Sequence, residues 1–127
     1  MKHAENFRDL EVYKLSRELS NEIFAISKKF PKEEIYSLTD QVRRSSRSVG
    51  AQIAEAWARR RYEKHFISKL TDADGEQYET QHWLETAHDC DYIEKEVLEK
   101  FLKKYESVGK MLGSMINKSG LFCKEIF

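Results

Sequence analysis

Apolar side chains recur every three or four residues along most of the chain, the spacing that places them on one side of an α-helix. Four such stripes, separated by short polar or proline-containing segments, predict helices over about 9–29, 37–60, 63–89 and 92–118. Each helix would be about 30 Å long at roughly 1.5 Å per residue. The short connections predict an all-α, antiparallel up-down-up-down four-helix bundle, with residues 1–127 as one domain.

The ends of these helices carry recognisable signals. Asp9 can cap the first helix, and Pro31 ends it because proline lacks an N–H group. Ser37 or Thr39 can cap the second helix, and Arg59–Glu63 is the predicted turn into the third. Towards its C-terminus the chain has an apolar tail, Leu121–Phe127, which is predicted to cover one end of the bundle or to contact another subunit.

The two central helices have unusual inward positions. The second has a narrow stripe with many small residues, and Gly50 in its interior costs about 1 kcal/mol relative to alanine, which indicates close packing. The third is polar where a plain bundle would have leucine. The predicted inward positions are Leu38, Val42, Ser45, Val49, Ile53 and Ala56 on the second helix, and Phe66, Leu70, Ala73, Gln77, Thr80, Leu84 and Ala87 on the third.

Charge is strongly polarised along a chain whose net charge is zero. Residues 41–70 carry 8 basic and 2 acidic side chains, whereas residues 71–99 carry 1 basic and 10 acidic side chains. Such blocks either neutralise each other across packed helices or leave a charged surface for a partner. Overall neutrality argues against nucleic-acid binding through net positive charge.

A hairpin of the second and third helices brings the two blocks together. It predicts that Arg47 lies near Glu76 or Gln77, that Arg43 and Arg44 lie near Glu79, and that Glu55 lies near Lys69. The candidates for structural ion pairing are therefore Arg43, Arg44, Arg47, Glu55, Glu76 and Glu79. The alternative is a basic stripe: on an ideal helix Arg43, Arg47 and Arg61 fall within about 40° of one another, beside Trp57, and can follow a phosphate backbone.

The hairpin tip is the better candidate for a polyanion, because its cations are expected to be exposed. The candidate nucleic-acid-binding residues are Arg59, Arg60, Arg61 and Lys64. Trp57 and Tyr62 are candidates for an oligomer interface, since an aromatic residue at the margin of a buried stripe often anchors a subunit contact. Packing within the core is the alternative for both.

Catalytic and metal-binding patterns are weak. The pairs Glu79/His82 and Glu85/His88 have the spacing found in di-iron bundles, but they lie on one helix and point about 240° apart. Cys90 and Cys123 show neither metal-ligand nor disulfide spacing, and no glycine-rich phosphate loop is present. The sequence predicts a protein that is not an enzyme, has no cofactor and no metal, does not bind membranes, and resides in the cytoplasm.

One family resemblance rests on an ordered set of residues. The chain resembles the small four-helix-bundle family associated with intervening sequences of bacterial 23S ribosomal RNA genes, over about residues 7–117. The residues that carry this resemblance are Phe30-Pro31, Gln41-Val-Arg-Arg44, Ser48-Val-Gly-Ala-Gln-Ile-Ala-Glu55, Phe66, Ala73, Gly75-Glu76, Glu79 and Leu84.

The resemblance implies an antiparallel bundle that assembles as a homopentameric ring. The family includes the accessory variability determinant of diversity-generating retroelements, a branch that implies a reverse transcriptase and nucleic acid as partners. This chain departs from the family in having Ala56-Trp57 where a glycine is common, and it is neutral where the accessory branch is basic. The expected function is that of a non-enzymatic homo-oligomeric assembly or adaptor protein, with nucleic-acid binding as the alternative.

Overall fold

A computed structural model describes residues 4–123 and contains helices and turns but no strand in that range. The four long helices are α1 (Glu11–Ser27), α2 (Leu38–Ala58), α3 (Glu63–Asp89) and α4 (Lys95–Asn117), followed by the short α5 (Ser119–Phe122). The packing pairs are α1 with α2, α2 with α3, α3 with α4 and, less extensively, α1 with α4. This is the all-α four-helix bundle that the stripes predict.

The first helix begins later than predicted, and its predicted cap is wrong. Asp9 belongs to a 3-10 turn, Phe7–Asp9, in which the Asn6 side chain accepts from the Arg8 N–H and the Asp9 carboxylate accepts from the N–H of Asn6. Helix α1 starts at Glu11, without a side-chain cap. The Asp9 carboxylate accepts from the preceding backbone, so in the sequence Asp9 marks the 3-10 turn and not the start of α1.

The connection between α1 and α2 is held by one carboxylate. After Pro31, the turn Lys32–Glu34 places Glu34 beside the start of α2. The Ser37 hydroxyl donates to Glu34 Oε1 at 2.6 Å, and the N–H of Leu38 donates to the same oxygen at 3.4 Å. Ser37 occupies the cap position but makes no capping bond from its own side chain. The predicted cap is therefore right in position and wrong in chemistry.

Glu34 also links this connection to the opposite half of the bundle. The Tyr92 hydroxyl, in the turn between α3 and α4, donates to Glu34 Oε2 at 2.8 Å, and the Tyr92 ring lies 5.5 Å from the ring of Phe30. The hydrogen bonds from Ser37 and Tyr92 lower the pKa of Glu34. The bond to Glu34 raises the pKa of Tyr92 to about 12. Two loops at one end of the bundle are thus joined through a single carboxylate.

The core follows the predicted stripes closely on α2 and α3. All six predicted positions of α2 and all seven of α3 are buried. Polar side chains occupy the middle of this interface: Thr80 Oγ1 lies 2.8 Å from Ser45 Oγ and 2.8 Å from the carbonyl oxygen of Glu76. Gln77 is almost fully buried and bonds to Asp74 and Gln81 on its own helix. The polar stripe is therefore a hydrogen-bonded layer inside the bundle.

The short helix α5 covers one end of the bundle. The ring of Phe122 stacks on Phe66 with 5.7 Å between centroids, and the Ser119 hydroxyl donates to Glu63 Oε2 at 2.5 Å. The part of the predicted apolar tail beyond Cys123 lies outside the described residues. No helix within residues 4–123 is long and apolar enough to cross a membrane.

We expect Glu34→Gln to lower the melting temperature at neutral pH, because the neutral amide accepts weaker hydrogen bonds from Ser37, Leu38 and Tyr92. The folded-state pKa of Glu34 is lowered, so the stabilisation is present above the ordinary carboxyl pKa and is lost as pH falls through the folded value. The melting temperatures of the wild type and the variant should therefore converge at acidic pH. Glu33→Gln is the matched control, and an equal effect of the two substitutions would contradict the role of Glu34.

The buried hydroxyl pair between α2 and α3 can be tested with Thr80→Val, which keeps the shape of the side chain. Loss of the hydrogen bond to Ser45 should lower the free energy of unfolding by about 1–2 kcal/mol. Thr86→Val is the control, because the Thr86 hydroxyl bonds only to the His82 carbonyl of its own helix. Urea unfolding of the double variant with Ser45→Ala should show a coupling of about 1 kcal/mol, and additive losses would argue against the pair.

Candidate interaction surfaces

The pairs Glu79/His82 and Glu85/His88 of α3 do not converge on a metal site. Glu79 accepts from Arg44 and from the Trp83 ring N–H, each at 3.0 Å, and the His82 ring lies against Trp83. Across residues 4–123, no group of three or more His, Cys, Asp or Glu side chains is arranged to hold a metal ion. Cys90 and Cys123 are free thiols, and burial raises the pKa of Cys123, which opposes thiolate formation.

The buried phenol of Tyr105 does not form a reactive site either. Its hydroxyl is enclosed in the core and has no hydrogen-bond partner among the described residues. Burial, reinforced by the negative charge of Glu22, raises the pKa of this phenol. The group therefore stays protonated at neutral pH and cannot act there as a general base.

The four candidate cations of the hairpin tip lie in two different kinds of surroundings. Helix α2 ends at Ala58 and α3 begins at Glu63, so Arg59, Arg60 and Arg61 lie in the turn, as predicted. Arg60 is half-buried: its guanidinium lies 3.7 Å from the centroid of the Trp57 ring, and its Nε donates to the Trp57 carbonyl at 2.9 Å. Arg59, Arg61 and Lys64 are exposed. The tip therefore presents three cations to solvent, while the fourth covers a tryptophan.

Trp57 and Tyr62 lie in different surroundings. Trp57 is half-buried, packs against the core and is covered by Arg60. Tyr62 is 58% exposed, with the His65 ring at 5.6 Å. Trp57 therefore packs against the core and keeps part of its surface open, whereas Tyr62 offers an aromatic ring to solvent, and a subunit contact at either residue stays a prediction.

Part of the predicted ion pairing between α2 and α3 is present. Arg44 Nη2 lies 3.0 Å from Glu79 Oε2, and Lys69 Nζ lies 3.1 Å from Glu55 Oε2. Glu76 is not paired with an arginine and instead accepts from the Ser48 hydroxyl at 2.9 Å. Exposed pairs of this kind contribute roughly 0–1 kcal/mol each. Their main effect is to fix which residues of the two helices lie side by side.

Arg43 and Arg47 do not face the acidic helix, so the predicted pairing of these two residues is wrong. Arg43 Nε donates to Ser27 on α1 at 2.7 Å, and the guanidiniums of Arg43 and Arg47 lie 4.6 and 5.1 Å from the centroid of the Phe24 ring. The hairpin register fixes the height of a residue along α2 but not its direction. At about 100° per residue, Arg43 and Arg47 point towards α1, while Arg44 points towards α3.

Together with α1, these arginines form what we call the α1–α2 basic face. Lys28 also lies over Phe24, at 4.7 Å, and Arg17 lies 5.9 Å from the Tyr13 ring with its Nη1 donating to the Tyr13 hydroxyl at 3.3 Å. None of the four cations forms an ion pair with a carboxylate of the described residues. The α1–α2 basic face consists of Arg17, Lys28, Arg43 and Arg47.

A groove of about 270 Å³ runs through this face. Arg17 and Arg47 line it, with Asn21, Tyr13 and the small residues Ser16, Ser20 and Gly50. A Cβ atom on Gly50 would lie 3.4 Å from Ser16 Oγ and 3.6 Å from Tyr13 Cε1, which is ordinary van der Waals contact, so α1 packs on α2 at Gly50 but an alanine would also fit there. The sequence could not place this face. The alternative basic stripe of the sequence analysis brought Arg43 and Arg47 together, but it did not place α1, with Phe24, Lys28 and Arg17, beside them.

The same architecture occurs in a solved structure. A crystal structure of a protein of unknown function from the S23 ribosomal protein family of Bacteroides thetaiotaomicron VPI-5482 matches with a TM-score of 0.75 and 32% sequence identity, over 84% of this chain and 95% of that chain. No curated protein matches the chain. The family model described as 23S rRNA-intervening sequence protein matches residues 8–114, most of the chain. The chain therefore belongs to the 23S rRNA-intervening sequence protein family.

Proposed function

We propose that this protein is a non-enzymatic, homo-oligomeric assembly or adaptor protein, with a pentamer as the expected form. The observation that carries the proposal is the exposure of large apolar and aromatic side chains at the surface of a highly charged chain. Tyr62, Tyr78 and Leu121 are 58%, 63% and 68% exposed. Tyrosine is enriched in protein interfaces, where its ring contributes contact area at low entropic cost.

The distribution of these side chains favours self-assembly over catalysis. Tyr62 and Leu121 lie at the hairpin-tip end of the bundle, where α5 packs on the start of α3. Tyr78 lies on the outer side of α3, away from the buried stripe. Two grooves of about 270 and 280 Å³, one between α1 and α2 and one between α1 and α4, bring together no paired acid and base with a nucleophile. Exposed rings without a reactive centre are the pattern of a binding surface.

Light scattering coupled to gel filtration tests this proposal. At micromolar concentration the expected mass is about five times the 15.0 kDa of one chain. Tyr62→Ser should weaken association by about 1–2 kcal/mol, or roughly 5–30-fold, if the tip lies in the interface. Tyr36→Ser, at the opposite end of the bundle, is the control. A mass of one chain for the wild type would overturn the proposal, and equal effects of the two substitutions would remove Tyr62 from it.

A second function, binding to RNA or DNA, is favoured by the tip, where Arg59, Arg61 and Lys64 are exposed within a short segment. The family description refers to the 23S rRNA intervening sequence, which makes that RNA the natural first probe. The retroelement branch that the sequence resembles suggests a reverse transcriptase as a protein partner in the same setting. Both partners belong to this second proposal.

Titration of labelled RNA and DNA over a range of salt concentrations tests nucleic-acid binding. The logarithm of the affinity should fall linearly with the logarithm of salt concentration, with a slope of about −0.7 to −0.9 for each phosphate neutralised. Arg59→Gln with Lys64→Gln should reduce the slope by about 1–2. Lys103→Gln on α4 is the control for lost charge. Binding that is absent, or that does not respond to salt, would rule out this function.

A further inference from the structure

The α1–α2 basic face forms no ion pair with a carboxylate of residues 4–123. Its four cations rest on aromatic rings, and none has a carboxylate at ion-pair distance in the part of the chain that the structure describes. An arginine stacked on a ring keeps the edge of its guanidinium available for a carboxylate. Arg43 uses only its Nε, towards Ser27, so its terminal nitrogens point to no acid.

A second surface, on α3, carries the opposite charge. Asp72, Glu85 and Asp89 are exposed, and none of them forms an ion pair with another residue in 4–123. Between them lie Tyr78, 63% exposed, and Gly75, where an added Cβ would meet nothing within 4 Å. We call this surface, Asp72, Gly75, Tyr78, Glu85 and Asp89, the α3 acidic face. It combines negative charge with one large aromatic side chain and an open backbone.

The two faces cannot neutralise each other within one molecule. Helices α1 and α3 are diagonal in the bundle and do not contact each other over the described residues, because α2 and α4 lie between them. The α2 residues that do pair with α3, Arg44 and Glu55, lie on another side of α2 from Arg43 and Arg47. A chain of zero net charge therefore exposes one positive and one negative surface.

The spacing of the charges on the two faces is similar. Arg43 and Arg47 are four residues apart on one helix, and Glu85 and Asp89 are four residues apart on another, so each pair spans about 6 Å along its axis. Over the whole faces, Arg17 and Lys28 are separated by about 16 Å along α1 and Asp72 and Asp89 by about 26 Å along α3, so the acidic face is long enough to cover the basic one.

We propose that the α3 acidic face of one copy docks on the α1–α2 basic face of the next copy. Each chain carries both surfaces, so this contact is heterologous, and its repetition closes a ring or extends a filament. Charge complementarity sets the register, while Tyr78, packed against the groove between Arg17 and Arg47, supplies apolar contact area. The inference rests on the proposed homo-oligomer and names the interface that builds it.

Charge reversal on each face, followed by mixing, tests the contact. The first variant is Arg43→Glu with Arg47→Glu, and the second is Glu85→Arg with Asp89→Arg. Each alone should raise the dissociation constant at least about tenfold, because like charges then meet across the contact. Equimolar mixing should restore association, since the two native faces complement each other and so do the two reversed faces. The two variants must alternate, so a ring of five chains keeps one mismatched contact, and the mixed assembly should be weaker than wild type but stronger than either variant alone.

Control variants separate loss of the contact from loss of the fold. Lys103→Glu with Lys110→Glu makes the same change in charge on α4, outside both faces, and should leave the assembly intact. Arg17→Glu with Lys28→Glu alters only exposed ends of the basic face and should dissociate the oligomer even if the Arg43 variant misfolds. Gly75→Trp should block docking sterically while preserving the circular dichroism spectrum.

The outcomes distinguish this inference from the proposed function. A monomeric wild type would overturn both. An oligomeric wild type whose mass is unchanged by reversal of either face would overturn only the docking of these two faces. If Arg17→Glu with Lys28→Glu abolished binding of RNA and left the oligomer intact, the basic face would serve a polyanion instead, and the inference would be wrong.

Discussion

The polar contact between α2 and α3 is the constraint on which the rest of the arrangement depends. Two helices that meet only through leucines can shift past each other by one turn at a small cost in free energy. The Ser45 and Thr80 hydroxyls, by contrast, meet in one register of α2 and α3. Ser48–Glu76, Arg44–Glu79 and Lys69–Glu55 agree with the same register along the hairpin. These contacts contribute modestly to the free energy of unfolding. Their effect is that a shifted register would break the bond between the Ser45 and Thr80 hydroxyls and separate the three other pairs at once.

The contacts of α2 with α3 determine which residues of α2 face α1. With Arg44 and Ser48 turned to α3, helical geometry turns Arg43, Arg47 and Gly50 to α1. Helix α1 packs on α2 at Gly50, and Phe24 lies under the two arginines. The basic face is thus a consequence of the α2–α3 register and of the close α1–α2 packing. Neither arginine could pair with α3 without breaking the buried layer.

Sequence periodicity was sufficient for the fold because burial follows helical spacing. It located every buried position of α3, including Gln77 and Thr80, since a polar residue on the inward side of a helix is as periodic as a leucine. Periodicity was insufficient where a side chain could bond to either of two partners. Asp9 could serve a helix or a turn, and Arg43 could face α1 or α3, and these choices depend on three-dimensional neighbours that one helix does not specify.

The charge count illustrates the same limit and has a physical consequence for function. A net charge of zero removes long-range attraction to a polyanion, yet it leaves a dipolar surface when the positive groups lie on the outer sides of α1 and α2 and the negative groups on the outer side of α3. For such a molecule a second copy is a better electrostatic match than a nucleic acid, because docking neutralises two faces at once. A nucleic acid would neutralise the basic face and be repelled by Asp72, Glu85 and Asp89. The polarity within the chain, rather than its total charge, is therefore what favours self-association.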